Sequence, residues 1–194
     1  MNCDVVDMGV VPDVPEALER AFATAAANAD VVITSGGVSV GEADFVKALL
    51  DKLGEVLFWK IAMKPGRPLA YGKIGSAHFF GLPGNPVSVM VTFYQFVRDA
   101  LLVLQGRRDV TGVPTFPARL AVPIRKAPGR TEFQRGILAP DPAGGGYTVR
   151  TTGDQGSGIL SSMTRANCFI VLPTECGDVA VGDVVQVQPL EGLI

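Results

Sequence analysis

Residues 31–44 restrict the fold more than any other stretch. The apolar run Val31-Val32-Ile33 leads into Thr34-Ser35-Gly36-Gly37-Val38-Ser39-Val40-Gly41-Glu42-Ala43-Asp44, and a helical pattern follows over 45–53. The order is strand, glycine-rich loop, helix N-terminus. Glycine reaches backbone angles that other residues avoid and lets the main chain approach a ligand closely. A helix N-terminus presents unpaired N–H groups and the positive end of a dipole. Together these suit phosphate. The loop is neither a Walker loop, since no Gly-Lys-Ser/Thr follows, nor a G-x-G-x-x-G loop. A tight turn without a ligand is the structural alternative. Asp44 would oppose bare phosphate, so it is expected to cap the helix, bind magnesium or meet a sugar hydroxyl.

Upstream, residues 4–6 read as a short strand. Asp13 and Glu16 have capping-box spacing, with Pro15 just inside a helix that runs to about Asn28. Leu18, Ala21, Phe22 and Ala25 share one face of it. Strand, helix, strand, loop and helix in this order predict an α/β domain with a mostly parallel sheet. After the loop helix, Gly54 suits a C-cap. Strands are expected at 56–62, 69–73 and 77–80, the last two joined at Gly75-Ser76. A long apolar helix is expected over 87–104. Composition shifts near Gly106, and beyond it the pattern is all β. Strands are expected at 119–124, 130–138, 147–152, 168–172 and 184–189, as a barrel or sandwich. The division is 1–106 for the α/β domain, 107–117 for a linker and 118–194 for the β domain.

Composition narrows the function. The net charge is -2, without the basic excess of a nucleic-acid binder. No apolar run is expected to approach the roughly 20 residues of a membrane helix. Met1-Asn2-Cys3-Asp4 lacks the basic and apolar regions of a signal peptide. Cys3, Cys168 and Cys176 are odd in number and lack C-x-x-C spacing. They are expected to be reduced packing thiols in a cytoplasmic protein.

Three further constellations could carry chemistry. Lys60, Lys64 and Arg67 surround a Pro65-Gly66 turn, which suits phosphate or a tetrahedral oxoanion. A solvated surface turn is the plainer alternative. Leu82-Pro83-Gly84-Asn85-Pro86 forces a turn directly before a helix, a second anion-facing end or simply a structural turn. In the β domain, Arg135 could bind an anion and Ser157 lies in a glycine-flanked loop; a strand charge and a turn residue are the competing roles. His78 lacks a nucleophile elbow or partner acid and is expected to be structural. With no Cys/His cluster, any metal would be hard and oxygen-bound, most simply magnesium through Asp44.

Taken together, the chain resembles the molybdopterin molybdenumtransferases, the MoeA family, which is similar to the gephyrin E domain. The resemblance rests on five ordered motifs. They are residues 35–44, Lys60 with Lys64-Pro65-Gly66, Leu82-Pro83-Gly84-Asn85-Pro86-Val87-Ser88, Phe133-Gln134-Arg135-Gly136 and Gln155-Gly156-Ser157. It implies a three-layer αβα molybdopterin-binding domain followed by a C-terminal β-barrel. It also implies insertion of molybdate into adenylylated molybdopterin, with magnesium-assisted release of AMP. Carried over residue by residue, Asp13, Asp44, Lys60 and Lys64 would be catalytic, with Asp44 the metal ligand. Ser35, Gly36, Gly37, Ser39 and Gly41 would hold the nucleotide-phosphate end. Lys60, Lys64 and Pro65 would lie at the molybdate and pterin-phosphate end, Pro83, Gly84, Asn85, Pro86 and Ser88 would shape the pocket wall, and Arg135 and Ser157 would reach the cleft from the barrel.

The family pattern further implies that this is a C-terminal portion. A strand, an acidic Gly-Asp-Glu motif, a helix and further domains are expected before Met1, and activity is expected to need them. A homodimer is expected for the full-length family, with no nucleic-acid or membrane partner. The competing functions are a non-catalytic pterin-binding or scaffold module, as in gephyrin, and a molybdopterin adenylyltransferase. The β domain and the Leu-Pro-Gly-Asn-Pro motif argue against the last.

Overall fold

A computed structural model describes residues 1–36, 43–142 and 144–190, with backbone alone at 43–46 and 56–59. The chain forms two compact units, one of Met1–Ile61 with Gly66–Asn85, the other of Ala62–Pro65 with Pro86–Ile194.

The first unit contains α1 (Pro15–Asn28), β1 (Val31–Ser35), α2 (Ala43–Leu53), β2 (Gly54–Lys60), β4 (Pro68–Ile74) and β5 (Ala77–Leu82). Its sheet has the order β1-β5-β4-β2. Within this sheet β1 and β5 run parallel, whereas β4 is antiparallel to both β5 and β2. The sheet is therefore mixed, which corrects the expectation of a mostly parallel one. The reason is connection length. Gly75-Ser76, with Gly75 at φ +58°, closes a hairpin, and residues 61–67 are too few for a parallel crossover, which takes a dozen or more.

One core fills this unit. Phe22, Leu49 and Leu50 from the helices meet Val32, Ala70, Ile74, Ala77 and Phe79 from the sheet, with Leu18, Ala25 and Leu53 at the margin. Phe22 and Phe79 lie 5.4 Å apart, ring centre to ring centre. Since α1 and α2 share this core, the unit's own described helices form one layer on the sheet and not two.

Three local expectations fail. Residues 4–6 form no strand and lie exposed, Val5 at 87%; this short run has no neighbour to pair with among the described residues. Asp13 and Glu16 form no capping box. Val14 is the N-cap, without a side-chain bond, and its carbonyl accepts from Ala17 and Leu18. Pro15 at the first helical position sets that register. Gly54 is not a C-cap but the first residue of β2. A Cβ there would lie 1.6 Å from the Lys73 carbonyl oxygen, so only glycine fits the approach of the two strands.

The second unit opens with a helix, Pro86–Leu104, made of α3 (Pro86–Thr92), a π-helical turn (Phe93–Val97) and α4 (Arg98–Leu104). It has 19 residues, and an 18-residue window of it has a mean hydropathy of 1.5, so by length and composition it could cross a membrane, contrary to expectation. Length and composition alone do not separate that case from a core helix. Here Val87, Val91, Thr92 and Val97 are fully buried within the protein. The helix packs against α5 (Leu160–Arg165), and Gln95 donates to Gln188 of β10 (Val184–Pro189), 3.0 Å. The compact units part after Asn85.

β6 (Phe116–Leu120), β7 (Thr131–Pro140), β8 (Tyr147–Thr151), β9 (Cys168–Leu172) and β10 form a closed barrel in the order β7-β8-β6-β10-β9, with β9 returning to β7. The two-residue strand β3 (Met63–Lys64) adds to β7 in parallel. Leu120, Val149, Cys168, Ile170, Leu172 and Val187 fill the interior. Gly136 faces them, and a Cβ there would come within 2.8 Å of the Cys168 sulfur. Burial pushes the Cys168 thiol up to about 12; Cys168 packs in the barrel, whereas Cys3 is exposed, so the packing role expected of it fails.

Candidate functional site

In the first unit the site residues gather at the ends of two parallel strands. The register pairs Thr34 with Gly81 and Ser35 with Leu82, so β1 and β5 finish side by side. The chain then turns at both ends. Gly36, at φ +92°, donates its N–H to the Leu82 carbonyl, 3.1 Å. The Cβ position of Gly84 lies 3.6 Å from the Gly36 Cα. Ser35, Gly84 and Asn85 are exposed, while Pro83 is buried and anchors the turn. The carboxyl ends of adjacent parallel strands are the usual ligand position in α/β sheets. Asp44 lies in the first turn of α2, but its side chain is outside the described residues, as are Gly37, Ser39 and Gly41 entirely. Asp13 is exposed before α1.

The three cations around the Pro65-Gly66 turn are divided between the two units. Lys60 ends β2 opposite Pro68, and Ile61 donates its N–H to the Arg67 carbonyl, 3.1 Å, so Lys60 and Arg67 belong to the first unit. Lys64 and Pro65, joined by a cis peptide, belong to the second. There Lys64 lies opposite Glu132 of β7, and its Nζ donates to Glu132 Oε1, 3.3 Å. Pro65 is buried.

The second unit brings four more predicted residues together. Val87, between Pro86 and Ser88, donates its N–H to the Ser157 carbonyl, 3.3 Å. The start of the long helix is thereby tied to the 153–158 loop. Ser88 is buried. Arg135 holds the loop from below. Its guanidinium, 1% exposed, donates from Nε to Ser162 Oγ, 3.0 Å, and from Nη2 to the Gly156 carbonyl, 3.2 Å. Burial pulls the guanidinium below its ordinary value, and the Asp154 carboxylate partly offsets this. Arg135 thus acts on the loop that carries Ser157 and is not itself displayed to solvent.

Sequence reasoning placed Gln155 in a motif without giving it a role and overlooked Ser162; the two complete this network. Gln155 clamps the main chain of Arg135, accepting its N–H, 2.7 Å, and donating to its carbonyl, 3.2 Å. Ser162 passes its own proton to the Ile159 carbonyl, 2.6 Å. A usable signal was Arg135 itself, a charge in an otherwise compatible strand that needs acceptors if buried. His78 is structural, as expected. Its Nδ1 shares a hydrogen bond with the Tyr71 hydroxyl, 2.9 Å, along the sheet. Among the described residues no three His, Cys, Asp or Glu side chains converge to hold a metal. The Asp44 side chain, the carboxylate expected to bind magnesium, lies outside the described residues, and no step is assigned to the metal.

An α/β domain with glycine turns at its strand ends, followed by a closed barrel, defines the class. Residues 1–103 match the family model described as "Probable molybdopterin binding domain", and residues 117–190 match "MoeA C-terminal region (domain IV)". The chain belongs to the MoeA family, the molybdopterin molybdenumtransferase family of molybdenum cofactor biosynthesis. It is 48% identical to a molybdopterin molybdenumtransferase of Haemophilus influenzae, over all of this chain and 48% of that protein. It is 34% identical to gephyrin of Dictyostelium discoideum, over 92% of this chain and 28% of that protein. A crystal structure of a molybdopterin biosynthesis moeA protein from Pyrococcus horikosii superposes with a TM-score of 0.77 at 31% identity, covering 95% of this chain and 43% of that one. The chain thus spans about half or less of the length of these relatives.

Proposed function

We propose that this chain serves the insertion of molybdate into adenylylated molybdopterin, with release of AMP. The observation that carries the proposal is the tie between the helix start at Pro86–Ser88 and the Ser157 loop. It sets Ser88, a buried residue at a helix N-terminus, beside a polar loop that Arg135 holds. Such a place favours an anion. Lys64, in the same unit, supplies the cation that a tetrahedral oxoanion needs. The Ser35–Gly36 turn against Leu82–Gly84 would take the phosphate end through main-chain groups, with Lys60 and Arg67 adding positive charge in that unit. Asp13 and Asp44 are the proposed carboxylates. Magnesium, when bound, would neutralise phosphate oxygens, and Asp44 is its proposed ligand. No residue is proposed for covalent catalysis; positioning and electrostatics would carry the rate.

The test is AMP release from adenylylated molybdopterin, with and without molybdate, by the chain alone and with the remaining half of a full-length relative added in trans. Molybdate-dependent release, lowered at least tenfold by Lys64→Ala, is expected. Release that ignores molybdate would contradict the proposal. Tight pterin binding without any turnover, even in trans, would favour the non-catalytic module, which the match to gephyrin keeps in view. An adenylyltransferase is disfavoured by the barrel's match to the MoeA C-terminal region.

A further inference from the structure

Glu132 is a buried carboxylate in a strand that otherwise fills a barrel. It lies on the same face of β7 as Gln134 and Gly136, and that face meets the interior. A carboxylate taken from water is costly unless it is paired and fully hydrogen-bonded. Both oxygens are engaged. Oε1 accepts from Lys64 Nζ, 3.3 Å, and Oε2 accepts from Gln134 Nε2, 2.9 Å. Lys64 is the one cation paired with Glu132 among the described residues.

The pair is lopsided. The Glu132 side chain is 7% exposed and that of Lys64 is 48% exposed. An ammonium has three donors, and Glu132 takes one. The remaining donors belong to a half-exposed group whose position is set from behind. The bond is also longer than the 2.7–2.9 Å usual for a charged N–H···O contact, so it tethers the ammonium without using it up. The main chain reinforces the register. Lys64 lies opposite Glu132 where β3 joins β7, and Thr131 donates its N–H to the Ala62 carbonyl, 3.0 Å.

We infer that Glu132 is a positioning residue for Lys64, fixing the ammonium in place for an incoming oxoanion while Gln134 fixes the carboxylate. This rests on the oxoanion role proposed above for Lys64. Glu132 touches no substrate. It acts by removing the rotamer freedom of a long side chain before binding.

The test is equilibrium binding of molybdate to the purified chain, measured for wild type, Lys64→Ala, Glu132→Gln and the double variant. Glu132→Gln keeps the shape and a partner for Gln134. Thermal melting selects variants that fold as wild type, and Glu132→Asp stands in if Glu132→Gln does not. The expected result is roughly tenfold weaker binding for Glu132→Gln, but less than a twofold further change when it is added to Lys64→Ala, since the two act through one group. Wild-type binding by Glu132→Gln overturns the inference, and so does an equal loss in both backgrounds. If Lys64→Ala itself binds molybdate normally, the role proposed for Lys64 fails, and this inference fails with it.

Discussion

The anion sites proposed in the two units are built from different materials. In the first, the ends of β1 and β5 set Ser35–Gly36 against Leu82–Gly84, and a main-chain bond joins them. In the second, side chains do the holding: Arg135, Gln155 and Ser162 fix one loop, and Glu132 holds Lys64. A backbone turn tolerates most side-chain exchange but not a Cβ where φ is positive. A side-chain network fails when one donor is lost, because its partners are left buried and unsatisfied. The units should therefore break under opposite kinds of substitution.

The largest effect is expected in the second unit. Arg135→Ala removes two charged hydrogen bonds and leaves a cavity, and should cost about 3–5 kcal/mol by urea denaturation. A loss under about 1 kcal/mol would mean the network is ornamental. Next comes a matched pair of glycines. Gly54→Ala drives a Cβ into the Lys73 carbonyl, whereas Gly136→Ala meets the side chains of Cys168, Ile170 and Val149, which can shift. We expect about 3 kcal/mol for Gly54→Ala and about 1–2 kcal/mol for Gly136→Ala. Equal losses would erase the contrast between rigid backbone and yielding side chains.

Cys168 gives a smaller, pH-dependent signal. Its folded thiol titrates at about 12 against an ordinary 9.0. Below pH 9 both states hold the proton, and the thiol contributes no pH dependence. Between these values the unfolded chain loses its proton and the folded chain does not, so stability falls as pH rises. Relative to Cys168→Ala, wild type should lose about 2 kcal/mol between pH 8 and 10.5. Parallel pH curves for the two proteins would show that the thiol is not sealed in the barrel. The smallest effect is expected from Gly36→Ala, about 1 kcal/mol for a left-handed residue at the chain turn. Its larger consequence should be weaker binding of the nucleotide end, read by AMP titration.

Much of this fold was legible because local patterns set it. Cys168–Leu172 and Val184–Pro189 are strands at the expected limits, apolar or alternating runs bounded by turns. α1 ends at Asn28, as its periodicity indicated. What failed was non-local. The valines at 5 and 6 are a short β-branched run like a strand, yet pairing depends on a neighbour that the local sequence does not name. The mixed sheet follows from short connections, whose weight was lost against the strand–helix–strand order. Lys60, Lys64 and Arg67 are close in sequence, but β3 carries Lys64 into the barrel unit, and a two-residue strand leaves no periodic signal. Arg135 read as a charge on a strand because α5, six residues long, was too short to announce what covers it.

The most direct measurement is molybdate binding to the purified chain by titration calorimetry, comparing Lys64→Ala with Gly36→Ala. Lys64→Ala should weaken molybdate binding at least tenfold, while Gly36→Ala leaves it within about twofold of wild type. Molybdate binding lost in Gly36→Ala and kept in Lys64→Ala would contradict the division of labour proposed for the two units.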